Sequence, residues 1–209
     1  ALNLLEDLSK RHKCILFNME MSETSVYKRL ISIMTSVPMD MLTTPTTEYQ
    51  KKVIADSIQE LSKRKIKIIS TGQTIQSIRR TIINEQREEH LIVFIDYVGL
   101  IGSIEKHRSL YELTTAVVKE LRSISMSYNC TIILLAQINR SGEDNPKLSD
   151  LKESGELEQS ATQVIILNGE ETNADEQDIK LTLAKHREGK KAQLDLIYNR
   201  PNQRFREKF

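Results

Sequence analysis

The sequence predicts an α/β fold built on a mainly parallel β-sheet, and three observations indicate it. The runs CILFNME, LIVFID and TIILLAQ are almost wholly apolar up to their ends, as strands buried on both faces of a sheet are. Segments with apolar residues at helical spacing lie between these runs. Strands that alternate with helices in this way form parallel sheets.

The first fifth of the chain shows the alternation directly. Leu2, Leu5 and Leu8 stand at helical spacing, and the CILF strand follows them. Ser22 is placed to cap a second helix, and a turn-rich stretch comes after that helix. The order helix, strand, helix is therefore predicted before residue 45.

Capping boxes, in which Ser or Thr is followed three residues later by Gln or Glu, predict two further helices. Thr47 with Gln50 opens one, and Ser109 with Glu112 opens the other. The KIKIIS strand and the TIQSIRRTIINEQREE helix are predicted between them. Beyond a polar loop, TQVIIL, IKLTLAK and AQLDLIY are predicted strands. The alternating pattern of the last two is typical of a sheet edge or an antiparallel extension.

Composition narrows the class of protein. A chain of 209 residues suffices for one substantial domain, and its net charge of +1 requires any nucleic-acid partner to meet a local patch. No apolar run approaches the roughly 20 residues of a membrane span, and the start does not resemble a signal peptide. Cys14 and Cys130 open apolar strands, so we expect two buried reduced thiols in a cytoplasmic protein.

Three apolar runs end at polar residues used in nucleotide hydrolysis: Glu20, Asp96 and Gln137. In open α/β sheets, ligands bind outside the carboxyl ends of the strands, so these residues should share one edge. Asp96 could hold Mg²⁺ beside the phosphates or form a turn, and Glu20 could be a general base or an acid at a helix start. Gln137 could bond a γ-phosphate or satisfy loop backbone. Their joint placement favours nucleotide hydrolysis.

Two further groups are basic. Lys185 and Arg187 leave a strand on the same face and repel each other unless an anion lies between them, as a neighbouring subunit's phosphate would. The alternative is a solvated basic turn. In a polar loop, Lys152, Glu153 and Gly155 could hold a nucleic-acid phosphate through the lysine and the backbone N–H groups. An ordinary exposed loop is the alternative there.

The segments FNMEMSE, FIDYVGLI, LAQINRS, SDLKESGELEQSA and LAKHREG occur in this order. With them the chain resembles the C-terminal motor domain of DnaB-type replicative helicases, bacterial or phage, over nearly its whole length. The resemblance implies a RecA-like fold with residues 1–209 as a single motor domain. It also implies a DNA-unwinding enzyme that uses ATP or another nucleoside triphosphate with Mg²⁺. Such enzymes form homo-hexameric rings around single-stranded DNA and work with primase and a helicase loader, without a membrane.

The resemblance also implies roles for single residues. Glu20 matches the catalytic glutamate, and Asp96 matches the Walker B aspartate that is associated with Mg²⁺. Gln137 matches the residue that senses the γ-phosphate. Lys185 and Arg187 match the pair that is inserted into the adjacent subunit's site. Asp96, Gln137 and this pair are thus the expected nucleotide contacts.

Lys152, Glu153 and Gly155 match the family's DNA-binding loop, with Lys where members often carry Arg, a change that keeps the charge but loses the planar fork. One departure is large, because the sequence contains no G-x-x-x-x-G-K-[ST] phosphate loop. In the family this loop lies immediately before the helix that here begins ALNLLEDL. We therefore expect a fragment of a longer helicase that alone hydrolyses ATP poorly. A RecA-type recombinase and an inactive scaffold without the loop are the alternatives.

Overall fold

The computed structural model describes residues 1–86, 88–138, 155–170 and 172–209. The helices are α1 (Leu2–Leu8), α2 (Glu23–Thr35), α3 (Glu48–Lys63), α4 (Ile75–Glu85), α5 (Leu110–Ser127) and α6 (Gly155–Ser160). The strands are β1 (Lys13–Asn18), β2 (Ile66–Ile69), β3 (Leu91–Asp96), β4 (Cys130–Leu134), β5 (Gln163–Asn168), β6 (Glu176–His186), β7 (Ala192–Asn199) and β8 (Arg204–Glu207).

The first four strands form a parallel sheet in the order β2-β1-β3-β4, with a helical layer on each face. Alternate residues of β1 and β3 enter two different cores. Ile15, Phe17 and Val93 pack with α4, α5 and Leu157 of α6 on one face, and Leu16 is among those that pack with α1, α2 and α3 on the other. Because both faces are covered, these strands are apolar along nearly their whole length.

The last four strands form a second, antiparallel sheet in the order β5-β6-β7-β8. The β8 side of this sheet is attached to helix α1. The Asn3 side chain donates to the Gln203 carbonyl at 2.9 Å and accepts from the Phe205 N–H at 3.2 Å. The Tyr198 and Phe205 rings stack across β7 and β8 with centroids 4.6 Å apart. The hairpin from β7 to β8 is thereby held against α1.

The predicted α/β class and its parallel sheet are confirmed, and so are the helix starts. Ser22 caps α2, and Thr47 forms a complete capping box with Gln50. Ser109 accepts from the Glu112 N–H, whereas the Glu112 carboxylate accepts from Arg108 N–H rather than from Ser109.

Two parts of the prediction differ from the structure. Helix α4 ends at Glu85 rather than continuing through the polar residues that follow, because after Ile83 the segment offers no apolar side chain to the core. The antiparallel part is larger than the alternating pattern indicated, because β5 and the unpredicted β8 join it. Strand β8 has few apolar residues and forms by pairing with β7.

Both cysteines are free and buried, as predicted. Burial raises the pKa of the Cys14 thiol to about 11 and also raises the pKa of Cys130. A raised pKa keeps a thiol protonated and unreactive at neutral pH. In the part of the chain that the structure describes, no helix is long and apolar enough to cross a membrane.

The Glu85 carboxylate at the end of α4 generates a stability prediction. It lies 2.7 Å from the Lys13 ammonium and 2.5 Å from that of Lys67, and hydrogen bonds from these two lysines lower the pKa of Glu85 to about 2. A lowered folded-state pKa contributes stability above the unfolded value near 4.5, and that stability is lost as pH falls toward 2. We expect Glu85→Gln to lower the free energy of unfolding at pH 7 by about 1 kcal/mol.

Urea unfolding of wild type and variant at pH 7 and pH 3 measures this difference. The difference should shrink at pH 3, because the Glu85 carboxyl of the unfolded chain is then mostly protonated and unfolding takes up a proton. Asp178→Asn is the matched control, because Asp178 pairs with Lys208 at an exposed position and should contribute little. A difference of equal size at both pH values would contradict the assignment.

Candidate functional site

Glu20 and Asp96 follow neighbouring parallel strands at the same edge of the sheet. Asn18 of β1 is paired in register with Asp96, and the Met19 N–H donates to the Asp96 carbonyl at 3.0 Å. Asn18 is buried, and its side chain closes the next turn by bonding both the carbonyl (2.6 Å) and the N–H (3.3 Å) of Met21. Glu20 lies in that turn and is exposed. The turn therefore presents the Glu20 carboxylate to solvent beside Asp96.

The two carboxylates affect each other electrostatically. Asp96 is half-buried, and burial raises its pKa above the ordinary value, with the nearby charge of Glu20 raising it further. The guanidinium of Arg29 acts in the opposite direction. Two acids that repel each other at a sheet edge form a place where a cation or a proton is favoured.

This arrangement fits a magnesium ion. Mg²⁺ is usually held by one or two carboxylates together with substrate phosphates rather than by a cage of protein ligands. Asp96 supplies one such carboxylate, with Glu20 beside it, and a cation would relieve the repulsion that adds to the effect of burial on the Asp96 pKa. Over the described ranges, no group of three or more His, Cys, Asp or Glu side chains could hold a metal ion.

Gln137 lies three residues beyond β4 at the same edge. The chain continues beside β3 after β4 ends, because the Leu135 N–H donates to the Ile95 carbonyl and the Leu135 carbonyl accepts from Val98 N–H, both at 3.0 Å. The Gln137 side chain is exposed. The structure thus brings the ends of β1, β3 and β4 together in the way that the three terminal residues predicted.

Lys185 and Arg187 lie elsewhere, at the C-terminal end of α6. Both side chains donate to the Gln159 carbonyl, which confirms that they share a face, and Lys185 also donates to the Glu158 carbonyl. These carbonyls belong to the backbone, so the sequence, which offers no acidic partner nearby, does not reveal them as partners. His186 points to the other face, where its ring fills the space that a Cβ on Gly189 would need.

The two groups of site residues have different electrostatic neighbours. Asp96 responds to Glu20 and Arg29, whereas Lys185 responds to a separate set on the α6 side. The lysine–arginine pair is bound to the end of α6, whereas Glu20 and Asp96 lie at the edge formed by β1 and β3.

Of the three predicted DNA-binding residues, Lys152 and Glu153 lie outside the described residues. Gly155 is the first residue of α6 and is exposed, and a Cβ placed on it would meet no described atom within 4 Å. Among the described residues, no other part of the fold fills the space beside Gly155.

Sequence reasoning missed Arg29. It lies on α2 beside the buried stripe of Val26 and Leu30, its Nη1 donates to Gln203 Oε1 at 2.6 Å, and its charge reaches Asp96. An arginine next to an apolar helix stripe was the available signal.

A groove of about 590 Å³ lies away from the strand ends, between α4 and α5. Two of the residues that line it, Arg79 and Glu120, form an ion pair with an N–O distance of 2.7 Å. It contains none of the predicted site residues.

A profile described as DnaB-like helicase C terminal domain matches residues 1–207. The chain belongs to this family. It is 29% identical over 204 residues to the replicative DNA helicase DnaB of Mycobacterium intracellulare, which covers 90% of this chain and 35% of that protein. It is 30% identical over 172 residues to the DnaB helicase of Helicobacter pylori strain 26695, covering 78% and 35%. This DnaB-like domain therefore spans about a third of the length of these curated relatives.

Two solved structures share the fold. One is a DnaB-like replicative helicase, described with its interactions with primase, with a TM-score of 0.87 and 24% identity over 98% of this chain and 52% of that one. The other is described as an ATPase domain, with a TM-score of 0.89 and 23% identity over 100% and 79%. The fold of this DnaB-like domain is α/β and RecA-like.

The raised pKa of Asp96 predicts that this residue lowers the stability of the domain. An acid with a raised folded-state pKa destabilises the fold at pH values where it is ionised, and the effect vanishes once both states are protonated. We expect Asp96→Asn to raise the melting temperature at pH 7 by roughly 2–4 °C, the shift that about 1 kcal/mol causes in a domain of this size.

Differential scanning calorimetry at pH 7 and pH 3 checks this expectation. Glu20→Gln should give a smaller gain at pH 7, since it removes only the neighbouring charge. A melting temperature of Asp96→Asn that is below wild type at pH 7, or a gain that persists at pH 3, would show that burial and repulsion are not what Asp96 contributes.

Proposed function

We propose that the chain is the motor domain of a replicative DNA helicase, with residues 1–209 acting as a single unit. The observation that carries the proposal is the pair of interacting carboxylates, Glu20 and Asp96, at the carboxyl edge of a parallel sheet. Family membership supports the same function. The substrate is ATP or another nucleoside triphosphate, bound at that edge.

The residues at the edge have distinct roles in this proposal. Glu20 accepts a proton from the attacking water and orients it, a role that suits an exposed carboxylate beside a binding edge. Asp96 holds Mg²⁺, which supplies positive charge to the phosphate oxygens when it is bound. Gln137 donates to the γ-phosphate and responds to its loss. These three side chains follow three neighbouring strands, so release of the γ-phosphate would change the contacts of all three.

Lys185 and Arg187 complete the site of a neighbouring chain. Both cations are held by a carbonyl oxygen at the end of α6, which carries only partial charge, and this supports binding to a neighbouring chain's phosphate. A homo-hexameric ring provides such neighbours in cyclic order. Positive charge at the γ-phosphoryl group stabilises the charge that develops during transfer. The pair therefore acts as a finger in trans.

Single-stranded DNA passes Lys152, Glu153 and Gly155, which contact its phosphates rather than its bases. No other part of the described fold fills the space beside Gly155, which supports this role. Primase and a helicase loader are the proposed protein partners, and the cytoplasm is the proposed location. The 209 residues contain no phosphate loop of the G-x-x-x-x-G-K-[ST] type, so we propose that turnover requires a chain that includes one.

A RecA-type recombinase has a similar sheet and strand-end acid, but the family match favours the helicase. Electron microscopy separates the two, since a ring motor closes with six-fold symmetry and a recombinase forms open filaments. A scaffold of the same fold would form rings but would not hydrolyse ATP even with a phosphate loop.

The action in trans predicts complementation between two inactive variants. In a chain that includes the phosphate loop, Arg187→Ala should slow ATP turnover by roughly 10³ to 10⁵ while leaving rings and nucleotide binding intact. Glu20→Gln should be inactive for a different reason, because it removes the base. Mixed rings contain interfaces where an intact Glu20 faces an intact Arg187, so mixing should restore part of the activity.

Steady-state ATPase measured across mixing ratios tests this, with subunit exchange confirmed by fluorescence energy transfer between labelled chains. Asp178→Asn mixed with Glu20→Gln is the control for simple dilution. No recovery at any ratio, despite exchange, is the result that would exclude a finger acting between subunits.

Contact with phosphates predicts that DNA binding is insensitive to base sequence and sensitive to salt. Lys152→Ala should weaken binding about equally for different single strands and reduce the slope of log affinity against log salt by about 0.7. Lys208→Ala, which removes the same charge from a lysine paired with Asp178, should leave the slope unchanged. Fluorescence anisotropy in the assembled ring measures both. Affinity lost for some sequences and kept for others would indicate base readout instead.

A further inference from the structure

We propose that Arg122 is a positioning residue that fixes helix α6 as the support on which Lys185 and Arg187 are held. The inference rests on the proposed function, in which these two cations complete a neighbouring chain's site. Arg122 belongs to α5 and lies in none of the segments that carry the family resemblance.

Three cationic side chains meet at one helix end. They donate to three consecutive carbonyl oxygens of α6: Arg122 to Ser160 at 2.6 Å, Lys185 to Glu158 and to Gln159, and Arg187 to Gln159. The last carbonyls of a helix have no partner within the helix and form the negative end of its dipole, so they attract cations. The backbone carbonyl oxygens at the end of α6 thus bind three positively charged side chains.

Arg122 differs from the other two cations in where it is anchored. It is partly buried and stands between Leu121 and Ile124, which are core residues of α5. Its bond to Ser160 therefore ties the C-terminal end of α6 to a helix that cannot move without disturbing the core. Leu157 holds the middle of α6 in the same core.

Lys185 and Arg187 are attached to this support rather than to the core. They come from the end of β6, and the Arg187 N–H donates to the Thr162 carbonyl at 3.1 Å, just beyond α6. Pairing with Val164 of β5 fixes the backbone of Lys185, and the end of α6 holds the side chains of both Lys185 and Arg187. Carbonyl oxygens carry only partial charge, so a phosphate from a neighbouring chain would bind these cations more strongly.

The charges around Lys185 favour its transfer from the carbonyl oxygens to a phosphate. Burial lowers the pKa of Lys185, and the neighbouring charges of Arg187 and Arg122 lower it further, while Glu158 acts in the opposite direction. Three cations at one helix end repel one another, which favours release of the outer two toward an anion. Arg122, fixed to α5, remains as the anchor.

Helix α6 also begins at Gly155, a residue of the proposed DNA-binding loop. Six helical residues span about 9 Å, so a DNA contact at one end and the cations at the other belong to one short rigid element. It follows that stimulation of turnover by single-stranded DNA should depend on Arg122.

The first experiment uses the 209-residue chain and hydrogen exchange. Arg122→Gln should speed exchange of the Ala161 and Arg187 amides, which bond Leu157 and Thr162 carbonyls near the end of α6. Arg79→Gln is the matched control, since Arg79 lies in α4 and pairs with Glu120. Unchanged exchange in Arg122→Gln would overturn the proposal.

The second experiment measures ATPase in the assembled protein that carries the phosphate loop. Arg122→Gln should lower the DNA-stimulated kcat by about 10- to 100-fold, the effect of misplacing a group that contacts the reacting phosphate, with KM for ATP within about twofold of wild type. Arg122→Lys, which keeps a cation that can donate to Ser160, should restore most of the rate. Arg79→Gln should match wild type.

Two results of the ATPase experiment would overturn the proposal: a kcat of Arg122→Gln equal to wild type, or equal losses in Arg122→Gln and Arg122→Lys together with a raised KM, which would mark a general structural defect. A wild-type protein without DNA-stimulated turnover would contradict the proposed function instead. In that case the hydrogen-exchange comparison still decides whether Arg122 fixes the end of α6.

Discussion

Burial of β1 and β3 on both faces is the constraint on which the site depends. Their alternate side chains enter two separate cores, so a shift of one residue would exchange the contents of both. The register that results pairs Asn18 with Asp96 and brings the two strand ends level. The position of the proposed catalytic edge is thus a consequence of apolar packing, with no contribution needed from the acids themselves.

Ionised Asp96 at this edge opposes the stability that the apolar packing provides. Asp96 is half-buried next to Glu20, and both burial and repulsion favour its protonated form. At the other end of the sheet, Glu85 between Lys13 and Lys67 has the opposite environment, in which opposite charges favour the ionised form. The ion pairs of Glu85 thus lie at the end of the sheet opposite the proposed site. At the site itself, the negative charges of Asp96 and Glu20 lie where a metal ion bound with a phosphate would compensate them.

The antiparallel sheet connects these ends to the rest of the molecule. Its β7–β8 hairpin is bonded to α1 through Asn3 and to α2 through Arg29, which also carries charge toward Asp96. Its β6 end rests on α6, which Arg122 joins to α5. The sheet that carries Lys185 and Arg187 is therefore attached to both helical layers. These attachments hold the end of β6 in place.

The sequence alone determined most of the elements and the strand-end residues, but not strand β8. Helix starts at Ser22, Thr47 and Ser109 and the apolar runs before Glu20 and Asp96 are local patterns, and local hydrogen bonding and periodicity decide them. Only the tertiary structure decided how the strands divide into two sheets, where α4 ends, and which carbonyls receive the basic pair at the end of β6. These features depend on contacts between residues far apart in the chain, and no short segment of sequence encodes them.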